Sequence, residues 1–357
     1  MLAMSFREVK AMESTATFRS GSAGHVMSIS SRPDFIAAMS AAIRDPDAAT
    51  MLEGGVSSDI RLVEFEGHRY CLKRALAKLK VLADWRAPVE RNHSEAEWLR
   101  VASRILPDAV PRVLYEERRE GWFVMEYLPP DAHPVWKAQL RDGDIDPGFA
   151  ASTGSCLAQI HTATAGDDEI AQRFSTDHIF YPIRPEPYLI ATIAAHPDLA
   201  PQLQRLSDVT MRNKRALIHG DVSPKNILCG PKGPVFLDAE CAWYGDPAFD
   251  LAFVLNHMLL KCVWHPQWRE RYLECFDALA DAYHARVDWE PAYHVEARVA
   301  HLLPGLLLGR IDGKSPVEYV TAERDKDRVR LVARLFLLRP AETLAEIRAM
   351  WSETLRS

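Results

Sequence analysis

Asp221, Asn226 and Asp238 carry oxygen-bearing side chains and lie close together in the chain. They sit in Leu217-Ile218-His219-Gly220-Asp221-Val222-Ser223-Pro224-Lys225-Asn226-Ile227-Leu228, followed by a turn at Gly230-Pro231-Lys232-Gly233-Pro234 and then Val235-Phe236-Leu237-Asp238-Ala239-Glu240. Polar residues held between short apolar runs read as a loop feeding a β-hairpin. A hairpin folds the two ends of the stretch back on each other, so two carboxylates and an amide oxygen come together. Such a set suits a hard cation with oxygen ligands, above all magnesium carrying phosphate.

The order of these residues resembles the catalytic core of kinases. Protein kinases write the loop as His-Arg-Asp, a spacer and Asn, followed by Asp-Phe-Gly. Here Gly220 follows His219, and Asp238 is followed by Ala239-Glu240. Those departures, together with Gly245-Asp246-Pro247-Ala248-Phe249-Asp250-Leu251-Ala252, resemble the aminoglycoside phosphotransferase-like family of small-molecule kinases. The resemblance implies an α+β, bilobal protein-kinase-like fold, with an N-terminal antiparallel sheet plus helix and a mostly helical C-terminal lobe. It implies ATP and Mg2+ as cofactors, and transfer of the γ-phosphate to a hydroxyl of a small molecule. By the same resemblance Asp221 accepts or orients the acceptor's proton, while Asn226 and Asp238 hold magnesium. His219 buttresses the loop, and Asp250 hydrogen-bonds it from the next helix. Glu240 stands where relatives also place an acid, for metal or for bracing. Lys225 either approaches the transferred phosphate or is solvated.

These groups need elements to position them and the nucleotide. Leu52-Glu53-Gly54-Gly55-Val56-Ser57-Ser58 is rich in small residues and leads into an alternating strand, Ile60 to Phe65. A turn at Glu66-Gly67 and a second strand, His68 to Lys73, complete a hairpin. Backbone N–H groups around Gly54, Gly55, Ser57 and Ser58 can approach phosphate oxygens without side-chain clashes. Lys73 follows that loop as the strand lysine does in kinases, which implies a grip on the α and β phosphates. Its partner is then a Glu on the helix spanning Val89 to Ile105. Glu90, Glu95 and Glu97 are the candidates, and the family's habit of an early Glu favours Glu95. Val110 to Tyr115 and Gly121 to Leu128 read as strands, the second apolar almost throughout. By resemblance its end is the hinge, with Met125 bordering adenine and the backbone of Glu126 and Leu128 hydrogen-bonding the adenine edge.

The rest of the chain reads as support. Residues 33–45 form an outer helix with Phe35, Ile36, Met39 and Ile43 near one face, and the basic segment from Arg74 to Pro88 is a helical insert. The second lobe is helical: Ala151 to Ala165 ends at a structural His161, Phe174 to Arg184 is an aromatic, proline-rich loop, and Tyr188 to Ala195 and Pro201 to Arg215 are helices. Leu251 to Lys261 is an apolar helix, and Trp268 to Ala285 carries a core stripe. Gly313-Lys314-Ser315 lacks the first Gly and the preceding strand of a P-loop, because Leu308 stands where that Gly belongs. Arg310, Asp312 and Lys314 either face the acceptor or cap a helix.

The chain has 357 residues, enough for two lobes: residues 33–128 for nucleotide binding and 129–357 for catalysis and acceptor, after a disordered extension over 1–32. Its 48% hydrophobic and 26% charged content is that of a soluble globular protein. A net charge of -6 gives no support to nucleic-acid or acidic-membrane binding. The scattered cysteines form no Cys-x-x-Cys pair, and no apolar run is long enough to span a membrane, so a cytoplasmic monomer or homodimer with reduced thiols is expected. A catalytically silent, kinase-like regulatory protein is a second reading, opposed by the intact Lys73, Asp221, Asn226 and Asp238. A protein kinase is a third, opposed by the missing Asp-Phe-Gly and activation segment. The acceptor, whether sugar, aminoglycoside or amino alcohol, stays open.

Overall fold

The computed structural model describes residues 29–45, 49–52, 58–76 and 88–356. Gly54, Gly55 and Ser57 of the small-residue loop, most of the basic insert and nearly all of the N-terminal extension lie outside them. The chain divides into two compact units: Met1–Ala96 with Pro111–Tyr127, and Glu97–Val110 with Leu128–Ser357.

The first unit is built on helix α1 (Pro33–Arg44) and strands β1 (Thr50–Met51), β2 (Ser58–Phe65), β3 (His68–Ala75), β4 (Val113–Glu117) and β5 (Trp122–Glu126). The sheet is antiparallel, in the order β1-β2-β3-β5-β4. Glu66 and Gly67 both take positive φ, 50° and 76°, in the tight turn joining β2 to β3. Two left-handed residues in a two-residue turn match the twist of the strands they join. Phe35, Met39, Ala42 and Ile43, at helical spacing on α1, pack with Val63, Tyr70, Leu72, Trp122 and Val124. A buried ion pair joins this side: the Arg61 guanidinium bonds the Asp59 carboxylate (2.8 and 3.0 Å) and the carbonyls of Ala42 (2.5 Å) and Asp45 (3.2 Å). It therefore satisfies carbonyls at the end of α1 that have no helical partner.

Helix α2 (Arg91–Ile105) begins in the first unit and continues into the second. The second unit then holds α3 (Trp136–Asp142), α4 (Pro147–Thr164), α5 (Asp168–Arg173), α6 (Asp177–Ile183), α7 (Ala200–Arg212), α8 (Pro247–Trp264), α9 (Arg269–His284), α10 (Ala292–Asp312), α11 (Glu323–Leu338) and α12 (Leu344–Thr354). Two small antiparallel pairs carry the loop between them: β6 (Ala216–Ile218) with β9 (Trp243–Gly245), and β7 (Ile227–Gly230) with β8 (Gly233–Phe236). The expected α+β class, with the larger sheet early and helices dominating later, is what is observed.

Helix α8 is the centre of the second unit. Asp246 caps it by accepting from the Ala248 N–H at 3.1 Å, and Pro247 occupies the first turn, where its missing N–H costs nothing. Nearly every residue of α8 is buried, and α9 and α10 pack on it. Helices α4 and α9 approach so closely that a Cβ on Gly154 would lie 2.2 Å from the Leu279 carbonyl oxygen.

The segment from Phe174 to Arg184 corrects the loop expectation. It contains α6, with Pro182 inside its last turn, where the ring forfeits only one backbone bond. Beyond it the backbone widens into a π turn at Glu186–Ile190, then tightens into 3-10 turns at Ala191–Ala194 and Pro197–Leu199. The helix expected from Tyr188 to Ala195 therefore has mixed winding. Among the described residues no helix is long and apolar enough to cross a membrane, and the six cysteines are free thiols.

Candidate active site

Strand β6 is wholly buried and delivers the chain into His219-Gly220-Asp221. Gly220 has φ +78°, and a Cβ there would lie 2.6 Å from the Cys241 carbonyl oxygen. A side chain at this position would meet both strain and a clash, which accounts for glycine after the histidine. Asp250, in the first turn of α8, is fully buried and accepts from the N–H of His219 at 2.7 Å and of Gly220 at 2.8 Å. His161 Nε2 lies 3.3 Å from the same carboxylate, and its Nδ1 lies 2.8 Å from the Tyr283 hydroxyl. The loop is thus tied to α4, α8 and α9 by one carboxylate.

The His219 ring completes the brace. Its Nδ1 accepts from the Asp221 N–H at 3.1 Å, so Nε2 carries the hydrogen and donates to the Leu237 carbonyl at 3.0 Å. Burial lowers the pKa of this imidazole against the pull of Asp250, Asp221 and Asp238, and the ring stays neutral. Trp98 packs edge-on against it at 4.8 Å.

Asp221 is buried between two cations. Arg184 Nη2 lies 2.9 Å from its carboxylate, and Lys225 Nζ lies 3.4 Å away. Arg184 is itself buried and also donates to the carbonyls of Gly220 and Ile183. Its guanidinium rests near the rings of Tyr188 (5.8 Å) and Phe253 (5.6 Å). Lys225 is half-exposed, and the Asp221 charge, assisted by Asp238, holds its ammonium above the ordinary lysine range.

Asn226 ends the 3-10 turn Pro224–Asn226. It spends Nδ2 on the Asp221 carbonyl at 3.1 Å, and its backbone carbonyl accepts from the Leu237 N–H at 2.9 Å. The second of these bonds ties the loop to the residue before Asp238. Asn226 Oδ1 accepts no hydrogen bond among the described residues, which suits a hard cation. Asp238 takes φ +66°, a strained setting for a side chain other than glycine, and its charge is felt by both His219 and Lys225. Glu240 follows, buried.

In the first unit, Lys73 lies on β3 opposite Phe123 of β5. Its Nζ is 2.8 Å from one Glu95 oxygen and 2.7 Å from the other, with both side chains buried. Glu97 instead meets Arg100 at 2.6 Å, and Glu90 precedes the helix. Ser58 is buried at the start of β2. Met125 and Glu126 end β5, and the Glu126 N–H donates to the Arg112 carbonyl at 3.0 Å. Leu128 follows outside the strand, half-buried.

Arg310 is buried in the last turn of α10, over the Tyr188 ring at 5.5 Å and 3.1 Å from the Ser315 hydroxyl. Asp312 and Lys314 do not share its setting. Asp312 pairs with Arg330 (2.7 Å) and His196 (2.8 Å), and Lys314 pairs with Glu186 (2.5 Å). Sequence reasoning missed Arg184, because nothing in its local spacing links a Pro-flanked arginine to a loop far along the chain.

A family model described as the APH phosphotransferase enzyme family matches residues 49–293. A methylthioribose kinase of Erwinia tasmaniensis is 26% identical over 245 residues, covering 60% of this chain and 60% of that protein. One from Pectobacterium carotovorum is 25% identical over 253 residues, covering 61% and 63%. The chain thus spans about three fifths of the length of the curated relatives it matches. Among solved structures, an amicoumacin kinase in complex with AMP-PNP, Ca2+ and Ami is similar at 15% identity and TM-score 0.49, covering 91% of this chain and 95% of that one.

Proposed function

The chain belongs to the APH phosphotransferase enzyme family, and from that premise we propose that it transfers the γ-phosphate of ATP to a hydroxyl of a small molecule. The observation that carries the reading is Asp221: a buried acid whose backbone is fixed by its own loop, with Asn226 bonded to its carbonyl and Leu237, the residue before Asp238, bonded to Asn226.

Phosphoryl transfer asks a protein for positioning and charge neutralisation more than for covalent chemistry. The acceptor hydroxyl gives its proton to Asp221 as its oxygen bonds to the γ-phosphorus. The bond from that phosphorus to the β–γ bridging oxygen breaks, and ADP leaves with the electron pair. Asp221 then returns the proton to solvent. Arg184 and Lys225 hold the carboxylate in place, and Lys225 offers a cation to the moving phosphoryl group. Asn226 Oδ1 and Asp238, with Glu240 near, would hold magnesium, which when bound neutralises phosphate charge. Lys73, steadied by Glu95, is the group for the α and β phosphates. Gly54, Gly55, Ser57 and Ser58 would cover them, and Met125, Glu126 and Leu128 would take the adenine edge.

The test is ADP release with magnesium present, across a panel of hydroxylated metabolites. Asp221→Ala is expected to lose about 10²–10⁴-fold in kcat while retaining ATP affinity. Activity unaffected by that substitution, or ATP bound with no transfer to any acceptor, would overturn the reading. The second outcome would favour a catalytically silent, nucleotide-binding regulator.

A further inference from the structure

The buried face of the second unit beyond Asp221 holds more cations than carboxylates: Lys137, Lys261 and Arg310 share the field of one acid, Glu318. Lys261, near the end of α8, is 1% exposed and makes no hydrogen bond or ion pair among the described residues. Its ammonium lies over the rings of Trp264 at 5.2 Å and Tyr319 at 4.9 Å, and those two rings stack at 4.4 Å. Among the described residues Arg310, 9% exposed, donates only to Ser315 and Tyr188 and leaves its Nε buried without a partner. His257, one turn before Lys261, is buried and feels the positive charges of Arg310, Lys261, Lys225 and Lys137 together. Glu318 pairs directly with Lys137, and Lys261 and Arg310 feel its charge without a direct ion pair to it.

This patch is continuous with the catalytic loop. Arg184, paired with Asp221, and Arg310 both rest on the Tyr188 ring. Lys225, beside Asp221, reaches His257 by its field. Cations taken out of water with one carboxylate among three are costly, and proteins keep such groups where a ligand supplies the missing charge. The aromatic pair that could cradle a cationic substrate is already filled by the chain's own ammonium.

We propose that the acceptor carries an anionic group, a carboxylate or a phosphate, which Lys261 and Arg310 neutralise while its hydroxyl is presented to Asp221. The inference rests on the phosphotransfer reading above and names its substrate class: hydroxy acids, sugar acids or phosphorylated polyols, in place of polycationic aminoglycosides or amino alcohols. Arg310 and Lys261 are binding residues here, and Tyr188 is a positioning residue between the two ends of the substrate.

The test uses the full chain and matched probes: inorganic phosphate, D-gluconate, D-glycerate and ribose 5-phosphate as anions, D-glucitol and ribose as neutral counterparts, and D-glucosamine as a cation. Binding is read by calorimetry and transfer by ADP release. At least one anion is expected to bind tenfold or more tightly than its neutral counterpart and than glucosamine. Gluconate ahead of ribose 5-phosphate marks a carboxylate subsite, and the reverse order a phosphate subsite. Lys261→Met and Arg310→Gln should each weaken that anion tenfold or more, whereas Lys326→Met, on the surface of α11, should not. Preference for a neutral or cationic probe, anions bound equally by Lys261→Met, or no anion bound at all would overturn the inference. Asp221-dependent transfer to neutral acceptors alone would leave phosphotransfer standing and remove the anion site. Lys261-dependent anion binding without transfer to any acceptor would do the opposite.

Discussion

Replacing Lys261 with methionine should stabilise the ligand-free protein, and by an amount that depends on pH. Burial pulls this ammonium from 10.5 down to about 7, with the Lys137 and Arg310 charges adding to the effect and Glu318 opposing it. Below pH 7 the folded chain holds a buried charge that the unfolded chain holds in water. The drop of about 3.5 pH units, at ~1.4 kcal/mol each, makes that charge cost about 5 kcal/mol. Methionine keeps most of the apolar stem and loses the two ring contacts, which offsets the gain by ~1–2 kcal/mol. Lys261→Met is therefore expected to be more stable by about 3 kcal/mol near pH 7. The sign with pH follows from proton counts. Between about 7 and 10.5 the unfolded wild type carries a proton on this lysine that the folded form lacks, so its stability rises with pH, while the variant lacks that contribution. The advantage of Lys261→Met should shrink by about 2 kcal/mol from pH 7 to pH 9. Urea unfolding of both proteins at pH 7, 8 and 9 measures this, in chloride buffers free of phosphate and carboxylates. A variant less stable than wild type at pH 7, or an advantage that stays constant to pH 9, would refute the picture of an uncompensated buried cation.

Two further substitutions probe the supports of the site. Glu95→Ala removes the carboxylate paired with the buried Lys73 ammonium and should cost about 3–5 kcal/mol of stability, with Glu95→Gln milder in urea unfolding and both weaker than wild type in ATP affinity. Asp250→Ala orphans two buried backbone donors at about 1–3 kcal/mol each. Amide exchange at His219 and Gly220 should accelerate, and kcat should fall more than KM rises. Slow exchange at those amides in the variant would show that the loop does not depend on the carboxylate.

Much of the candidate catalytic loop was legible because its groups lie in one short stretch. A loop and a hairpin with a tight turn leave a local signature: polar residues between apolar pairs, and glycines where φ must be positive. The strand of Lys73 and the helix of Glu95 were legible by period, while the pairing of these two residues came from the family resemblance. Arg184 was not. It reaches Asp221 through a short helix, a π turn and 3-10 turns, whose windings have no common period and whose prolines read as loop. The β6–β9 pair was invisible because three-residue strands carry no alternation. Lys261 was misleading in another way. A lone lysine near the end of an apolar helix reads as a cation complementing the helix dipole, and only the packing of Trp264 and Tyr319 around it reveals that it is enclosed.

Helix α8 carries Asp250 in its first turn and Lys261 near its last. An α-helix advances ~1.5 Å per residue and does not stretch, so the two residues are held about 16 Å apart along its axis. One end anchors the loop where the hydroxyl is proposed to react, and the other carries the charge proposed to hold the far end of the acceptor. The helix therefore acts as a calliper of fixed gauge. Insertion of one residue between its ends would swing Lys261 by ~100° about the axis and lengthen the gauge by ~1.5 Å, changing which molecules fit while leaving the reacting groups untouched.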